Sequence, residues 1–481
     1  MKAVTIFGPV DLESEIGDRA GALERRNSIP LVDVNSHIFQ ELGRENIIKR
    51  FSTDPTWHSN KSNLFSVDPH GQIKIQELAM IKSAPFLKLT NLSLDCSVEE
   101  AETEIRGFTE NGGVVMCSTV PRGRGRDLGK LVELAEKLKS HLSIVVGTGW
   151  SAEYAADKDL SREELVRLLA GEVLDGLEEQ QGRCKAGIIG EIVLSNHILD
   201  HKSKKGEIEA VALNAAVQAH VFTDGCPLLI KLEIEANNES HLCALNALER
   251  VINTFNAFPK AKSSKLAVSG LFSSLPGHLS FAEMNEYVSK LSKILKETRF
   301  NLIVTLASQC QVDSSHFCSV ETVVSVVKEL VRDGHGSRLM LGQNTNFKTQ
   351  LWRYGGWGYS HLSNVLIPHL MKAGSPIDEF VIKQICIQNA LEFLKFYTPP
   401  AAAKPREIEY WNCDLCGKKK PETYEAFEKS GYRYCSMKCL KKHKQILDSE
   451  NDKDGGNDDE GKGRKRVNNG STSWGIAVGS S

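Results

Sequence analysis

The feature that most constrains this chain is an alternation between apolar β-type runs and amphipathic helical stretches, from residue 30 to about residue 396. Eight runs have the length and composition of buried strands: IPLVDV, GGVVMCS, LSIVVGT, AGIIGEI, CPLLIKLEI, KLAVSGL, FNLIVTL and SRLMLGQ. Helical patterns separate them, such as residues 161–177, in which Ser161 and Glu164 form a capping box. This alternation predicts an α/β fold with a parallel sheet and crossover helices. Eight strands is the number of a (β/α)8 TIM barrel.

Length and composition favour a protein of more than one domain. A chain of 481 residues exceeds the size of a single core, so a barrel of about 250 residues or more leaves room for an appendage. The formal net charge of -2 gives no general attraction to nucleic acid. No stretch approaches the roughly 20 apolar residues of a membrane helix, and the first residues lack the apolar core of a secretory signal. We expect no membrane partner.

The scattered cysteines and a basic run near the C-terminus bear on the cellular compartment of the protein. Eight of the twelve cysteines are scattered without a framework, as buried thiols in a reducing compartment would be. We therefore expect an intracellular protein, primarily cytoplasmic. The alternative is a nuclear location, because RKR at residues 464–466 resembles a weak localisation signal, although a short basic run is more often simply solvated.

Two composition changes divide the chain. The segment TPPAAAKPRE at residues 398–407 breaks both periodicities and predicts a linker. Beyond about residue 447 the chain is charged and Gly-rich, so burial cannot offset its ordering entropy. We expect a barrel over residues 1–400, a zinc module over 408–447 and a disordered tail over 448–481.

Four clustered cysteines predict a structural zinc site. Cys413 and Cys416 have the spacing of a zinc knuckle, and Cys435 and Cys439 lie four apart, on one face of a starting helix. A module of about 40 residues cannot bury enough apolar surface alone, so metal binding would supply its folding free energy. We expect one zinc held by the four cysteines. His443 is either an alternative ligand or, as we favour, an exposed helix residue.

The segment YCSMKCLKKH at residues 434–443 resembles the second half of a treble-clef finger of the MYND or FCS kind. Fingers of this kind commonly mediate protein contacts, so the resemblance implies a protein partner. Basic runs at residues 418–420 and 438–444 leave nucleic acid as a weaker alternative, since no base-stacking signature accompanies them.

A second resemblance covers about residues 1–400. Its motifs are VTIFGP at residues 4–9, VVGTGW at 145–150, AGIIGEI at 186–192, LGQN at 341–344 and GGWGYSH at 355–361. They resemble the phosphotriesterase-related proteins, a branch of the amidohydrolase superfamily. The resemblance implies a (β/α)8 barrel with two metal ions at the C-terminal ends of its strands. Those metals would lower the pKa of a bridging water for hydrolysis.

The resemblance also implies six metal-site positions, of which four are changed in this chain. The family has a His-x-His pair on the first strand, a bridging carboxylate on the fourth, histidines on the fifth and sixth, and an aspartate on the eighth. The matching residues here are Asn35, His37, Glu191, Lys231, Gly270 and Asn344. An ammonium group has no acceptor lone pair, glycine has no side chain, and a neutral amide is no general base. We therefore expect barrel metals to be absent and the barrel to be a pseudoenzyme.

The two retained ligand positions have more than one interpretation. Glu191 and Lys231 lie on neighbouring predicted strands at the same depth, so the lysine is expected to supply the positive charge that metals supply elsewhere. The sharper alternative makes Lys231 a Schiff-base nucleophile. His37 is either a metal ligand or a satisfied core histidine, and we favour the second interpretation.

The loops at the barrel mouth also leave alternatives open. Trp150, Trp357 and Tyr359 either line a pocket for a small-molecule ligand or pack the barrel rim. Three arginines that follow the second strand either form a patch for an anionic ligand or, as we expect, a solvated surface; they are Arg122, Arg124 and Arg126.

The leading functional prediction is a catalytically degenerate barrel joined to a structural zinc finger, which serves as a ligand-binding or adaptor protein. The alternative is a metal-dependent hydrolase of ester or amide bonds, with an unorthodox mononuclear site that uses His37, Glu233 and other groups.

Overall fold

The computed structural model describes residues 19–20, 29–41, 71–83, 85, 88–152, 160–177, 184–200, 202–234, 239–276, 279–306, 319–372, 374–396, 410–421, 426–429 and 431–451. The chain divides into two compact units, Met1–Pro399 and Pro400–Ser481. The segment VTIFGP, the predicted linker beyond residue 396 and most of the predicted tail lie outside the described residues. Among the helices described, none has the length and apolar character needed to cross a membrane.

The described part of the first unit contains nine strands. They are β1 Leu31–Ser36, β2 Gly113–Ser118, β3 Ser143–Val146, β4 Trp150–Ser151, β5 Ile189–Ser195, β6 Leu228–Glu233, β7 Leu266–Ser269, β8 Asn301–Thr305 and β9 Leu339–Gly342. Each of the eight predicted strand segments overlaps one of these strands, and β4 follows β3 after three residues. The predicted α/β class is therefore confirmed.

The strands form two parallel sheets in chain order, β1-β2-β3 and β4-β5-β6-β7-β8-β9. At one junction between the sheets, a parallel bridge pairs Gly147 with Ile188, next to β3 and β5. At the other, the Asn344 N–H donates to the Asn35 carbonyl at an N–O distance of 2.9 Å, which connects β1 with the residues after β9. Parallel strands in chain order, with helices between them, form the architecture of a (β/α)8 barrel.

Helices follow the strands as the sequence pattern predicts. They are α1 Leu78–Ser83, α2 Val98–Glu110, α3 Leu128–Leu138, α4 Arg162–Leu174, α5 Lys204–Phe222, α6 Ser240–Asn256, α7 Phe281–Glu297, α8 Val320–Arg332, α9 Ile367–Leu370, α10 Glu379–Lys383 and α11 Asn389–Leu394. The capping box predicted for α4 is confirmed, because Ser161 accepts from the Glu164 N–H while the Glu164 carboxylate accepts from the Ser161 N–H. Such a box satisfies backbone donors that have no partner inside the helix.

The barrel interior has an apolar lower layer and a polar upper one. Leu229 of β6, Ala267 of β7 and Ile303 of β8 belong to a buried apolar cluster that also contains residues of α11. Lys265, just before β7, donates to the Lys395 carbonyl at 2.6 Å, which ties the end of α11 to the N-terminal ends of the strands. Because side chains two residues apart share a strand face, Lys231 lies one layer above Leu229, toward the C-terminal ends. That end carries the site.

The second unit is small. Its described elements are strands β10 Tyr410–Asn412, β11 Lys419–Pro421, β12 Phe427–Lys429 and β13 Tyr432–Tyr434, followed by helix α12 Met437–Asn451. β10 pairs antiparallel with β11, and β12 pairs antiparallel with β13. The helix continues four residues past residue 447, the predicted end of the zinc module. The buried cluster of the second unit consists of Trp411, Cys413, Tyr434, Cys435 and Leu440.

Candidate functional site

Glu191 lies on β5 at an irregular point of the strand. Ile189 pairs with Leu228 and Ile192 pairs with Ile230, so β5 holds one more residue than β6 between these pairs. One extra residue is a β-bulge, a device that redirects side chains near active sites. Gly190 has a φ of 131°, and a Cβ there would lie 2.4 Å from the Leu229 carbonyl oxygen. The bulge therefore requires glycine beside Glu191.

Protein nitrogen atoms surround the buried Glu191 carboxylate. Asn35 Nδ2 donates to Oε2 at 2.8 Å, and His37 Nε2 lies 3.3 Å from the same oxygen. Lys231 Nζ donates to Oε1 at 3.2 Å, and Arg124 Nη1 lies 3.9 Å from that oxygen. Both carboxylate oxygens thus have cationic or hydrogen-bonding partners from the protein itself.

Electrostatics favour the ionised form of this carboxyl. Burial opposes ionisation of Glu191, but the attraction of Lys231, followed by the contact with His37 and the attraction of Arg124, outweighs burial and holds the pKa of Glu191 below the ordinary range. Burial lowers the pKa of His37, against the attraction of Glu191. A lowered pKa leaves His37 as a neutral imidazole at neutral pH. The carboxylate therefore relies chiefly on Lys231 and Arg124 for its charge balance.

The three arginines after β2 do not form the solvated surface that the sequence predicted. The Arg124 side chain is 3% exposed, and its Nη2 donates to the two oxygens of Glu233 at 3.3 and 3.0 Å. Arg122 Nη1 and Arg126 Nη2 contact Oε1 of Glu172, on α4, at 2.6 and 3.2 Å. The prediction was wrong because the acidic partners lie at least 46 residues away in the chain.

Two of the six family positions lie outside the Glu191 contacts. Gly270 has a φ of 95°, and a Cβ there would lie 2.0 Å from the Leu232 carbonyl oxygen. A histidine at this position requires a shift of the backbone. The Asn344 side chain accepts from Asn346 Nδ2 at 3.0 Å. The structure therefore brings Asn35, His37 and Lys231 directly to Glu191, and it directs Asn344 elsewhere.

The aromatic side chains at the rim differ in exposure. Trp150 and Tyr359 are buried, and the Tyr359 hydroxyl donates to the His37 carbonyl at 2.6 Å. Trp357 is 39% exposed and stacks on His361, with ring centroids 6.3 Å apart. Rim packing describes Trp150 and Tyr359, whereas Trp357 retains an accessible face.

Asp33 is a buried acid that the sequence interpretation missed. Its Oδ1 accepts from the Asn35 and Gln343 N–H groups, both at 3.1 Å, and so connects β1 with the end of β9. Burial raises the pKa of this carboxyl to about 7. A carboxylate inside the apolar run IPLVDV was the available signal, because acids are seldom fully buried without a role.

The mouth residues do not fit a binuclear metal site. Of the six positions, only His37 and Glu191 carry side chains of the family's ligand types, and Glu191 already contacts Lys231 and Arg124. Two unit charges 4 Å apart interact with roughly 4 kcal/mol at the effective dielectric of a protein surface. A divalent ion beside this ammonium and guanidinium would meet repulsion of at least that size.

The second unit contains a different kind of cluster. Among the described residues, Cys413, Cys416, Cys435 and Cys439 place their sulfur atoms within 4.8 Å of one another. Zinc–sulfur bonds of about 2.3 Å in a tetrahedron put the sulfurs about 3.8 Å apart. The 3.5 Å between Cys416 and Cys435 and the 3.7 Å between Cys435 and Cys439 are close to that value. The four thiols fit zinc.

Backbone donors prepare one of these thiols for metal binding. Burial raises the pKa of the Cys413 thiol, but hydrogen bonds from the backbone of Cys416, Cys435 and Leu415 outweigh burial and lower it to about 6. Thiolates are the form that binds zinc. His443 does not join the sulfur cluster in this structure. Its Nδ1 lies 2.8 Å from the Tyr434 hydroxyl, and its ring packs edge-on against Tyr432 at 4.9 Å.

Comparisons with known proteins also divide the chain into a barrel part and a finger part. Residues 59–247 and 308–394, more than half of the chain, match the phosphotriesterase family, and residues 408–451 match the Vms1-associating treble clef domain. An N-acetyltaurine hydrolase of Xenopus tropicalis is 26% identical over 332 residues, which cover 67% of this chain and 85% of that protein. A phosphotriesterase-related protein of Drosophila grimshawi is 21% identical over 344 residues, which cover 69% and 88%.

Solved structures show the same fold. A resiniferatoxin-binding protein from Rhodobacter sphaeroides superposes with a TM-score of 0.56 at 20% identity, covering 76% of this chain and 91% of that one. The phosphotriesterase homology protein of Escherichia coli gives 0.53 at 15% identity, covering 76% and 99%. The chain therefore belongs to the phosphotriesterase family, and it carries a C-terminal treble clef domain with a four-cysteine set suited to zinc.

Proposed function

We propose that this protein is a non-hydrolytic member of its family, in which the barrel binds a ligand and the zinc finger engages a protein partner. The observation that carries the proposal is the saturation of the Glu191 carboxylate by Asn35, His37 and Lys231. In this proposal protein cations take the place of two metal ions. Without metal, the barrel lacks the means to lower the pKa of a water at its centre.

Lys231 is the central cation of the proposal. Its ammonium group contacts a fully buried carboxylate, and an unpaired buried carboxylate is costly. This contact supports charge substitution over Schiff-base chemistry, because a nucleophilic lysine must present a free amine. Borohydride trapping with candidate aldehydes tests the alternative, and labelling of Lys231 would contradict the ion-pair role.

The finger is proposed as the adaptor surface. Its match to a domain family described as Vms1-associating supports a protein partner. Four large side chains on this unit are each about two-fifths exposed, namely Phe427, Tyr432, Met437 and Ile446. Aromatic residues and methionine are enriched where protein interfaces form. Nucleic acid remains the weaker alternative, carried by charge alone.

A metal-dependent hydrolase is the second candidate. The observation in its favour is the match to proteins named N-acetyltaurine hydrolase over two-thirds of this chain. Such an enzyme would need a single metal held by His37, Glu233 and other groups, with Arg124 displaced from the Glu233 carboxylate. An amide bond would be the corresponding substrate class.

Metal content per chain distinguishes the two candidates. We would measure it by elemental mass spectrometry on the full-length protein and on the full-length double variant Cys413→Ser/Cys416→Ser, which disables the finger. One zinc in the wild type and none in the variant is the expected result. Metal retained by the variant, together with cleavage of N-acetyltaurine, would replace the proposal with the hydrolase.

A further inference from the structure

The ion network at the barrel mouth has one accessible member. The Arg124 and Lys231 side chains are 3% and 6% exposed, and Glu191 is fully buried. Glu233, at the C-terminal end of β6, has a side chain that is 34% exposed. Of the two carboxylates in this network, only Glu233 can exchange its cationic partner for water without burying an unpaired charge.

We propose that Glu233 is a displaceable counter-ion, and that a small carboxylate ligand takes its place on Arg124 beside Lys231. The inference rests on the proposed function, because it requires a mouth organised by protein cations. It assigns the ligand class of the barrel, and it assigns Arg124 and Glu233 roles in binding.

Arg124 already binds a carboxylate group. Arg124 Nη2 reaches both oxygens of Glu233, at 3.3 and 3.0 Å, and a planar guanidinium matches planar carboxylates. The exchange also conserves charge. Before and after it, two carboxylates face Arg124 and Lys231, so no uncompensated charge is left in a site of low dielectric.

Polar atoms nearby offer contacts for the rest of a ligand. Ser269 is paired in register with Lys231, and residues in register share a face of the sheet. Ser269 Oγ and His37 Nδ1 are buried and have no hydrogen-bond partner among the described residues. Buried polar groups normally have partners. A bound ligand or its water would supply them, which is a second and independent indication of a binding site.

Titration calorimetry with sodium acetate tests the proposal on the full-length protein, with chloride used to hold the ionic strength constant. Glu233→Gln removes the internal competitor while it keeps the side-chain size. If Glu233 occupies Arg124 for about nine-tenths of the time, this variant should bind acetate about tenfold more tightly than the wild type. Adding Arg124→Gln to Glu233→Gln should abolish the gain. Arg124→Lys in the same background checks that result with a milder change.

Glu100→Gln is the matched control, because Glu100 also pairs with an arginine, Arg353, and its side chain is 48% exposed. Glutamine at this position keeps the capping box of α2. An equal gain in this control, or no gain in Glu233→Gln, would overturn the inference. So would an equal gain with inorganic phosphate, because the site is assigned to carboxylates.

Barrel metal is measured in the same samples. If the barrel is metal-free and Glu233→Gln gives no gain in acetate affinity, this inference is overturned but the proposed function is not. Acetate binding that disappears when a chelator removes barrel metal overturns the proposed function as well.

Discussion

The barrel mouth and the zinc finger both bring ionisable side chains together, but the charges of these side chains are balanced in opposite ways. At the mouth, a carboxylate is met by an amide, an imidazole and two cations from the same unit. In the finger, four thiols face one another. In the first cluster both carboxylate oxygens already have partners from the protein, whereas the second can ionise its sulfurs together only around a metal.

The difference teaches that ligand-type residues alone do not define a metal site. Glu191 and Cys435 are both buried metal-ligand types at positions where their family or module suggests a metal. What separates them is the charge of their neighbours. A cation beside the ligand repels a metal ion, whereas further thiolates beside it attract one.

The largest effect expected is loss of the finger fold on removing one thiol. Cys435→Ser should unfold residues 410–451, because apparent zinc-binding free energies of roughly 10–16 kcal/mol act as folding free energy in such modules. Hydrogen exchange of peptides from α12 should rise to the unfolded rate, while peptides from α2 stay protected.

His443→Gln is the control for this first test, since it keeps all four thiols. It should retain one zinc per chain and show only a local loss of protection near Tyr434. Loss of zinc from this variant would mean that His443 is a ligand, contrary to the geometry described above.

Removing one partner of the ion pair at the barrel mouth is expected to affect stability less than removing a finger thiol does. Lys231→Met leaves Glu191 without its closest cation and should lower the free energy of unfolding by roughly 3–5 kcal/mol. Glu191→Gln should also destabilise the protein, because it leaves Lys231 buried without its carboxylate. The double variant should recover part of the loss, as measured by urea unfolding of the barrel.

If Glu191→Gln stabilised the protein while Lys231→Met destabilised it, charge substitution would hold only if Lys231 paired with another acid. Stabilisation by Glu191→Gln with no loss from Lys231→Met would disprove it. The sum of the single effects, compared with the double variant, gives the coupling energy between the two residues.

The acid beneath the mouth provides a test with pH. The pKa of Asp33 is about 7 in the folded protein and about 3.9 in an unfolded chain, so the folded state holds this proton more tightly. Its contribution to stability is full below about pH 4 and is lost as the pH rises to about 7, a change of about 4 kcal/mol. Asp33→Asn should remove this loss.

The difference between wild type and Asp33→Asn is the quantity to follow, because other groups act in the same range. Glu191 has a lowered pKa, so its contribution is present above the unfolded value of about 4.3 and is lost as the pH falls below it. A difference in unfolding free energy that does not change between pH 4 and pH 7 would show that folding does not raise the pKa of Asp33.

The smallest change in stability is expected from a substitution at the barrel rim. Tyr359→Phe removes the hydrogen bond to the His37 carbonyl and should cost about 1 kcal/mol in unfolding free energy. Zinc content should not change. A loss well above that of an ordinary hydrogen bond would indicate that Tyr359 positions His37 for the whole ion network.

Local patterns in the sequence were sufficient for the fold. The run CPLLIKLEI contains β6, and Ser161 with Glu164 caps α4, because strand and helix periods are set by neighbours close in the chain. The contact between Lys231 and Glu191 followed from the depth of two adjacent predicted strands. The four clustered cysteines were likewise visible from spacing alone.

The surroundings of the site were not predictable in the same way. Arg124 pairs with Glu233, 109 residues away, and the segment RGRGR has the composition of an exposed loop. Asp33 and Tyr359 approach the mouth from opposite ends of the barrel sequence. Burial of charge depends on partners that only the folded barrel brings together, so periodicity carries no information about it.

The close approach of β6 and β7 has an evolutionary consequence. Any side chain at position 270 would collide with the Leu232 carbonyl, whatever its chemistry. Mutations that return a histidine there are therefore unavailable until some earlier change moves one strand relative to the other. Backbone geometry therefore fixes this glycine, and a lineage that carries it can change its ligand more easily than it can acquire the family's sixth-strand metal ligand.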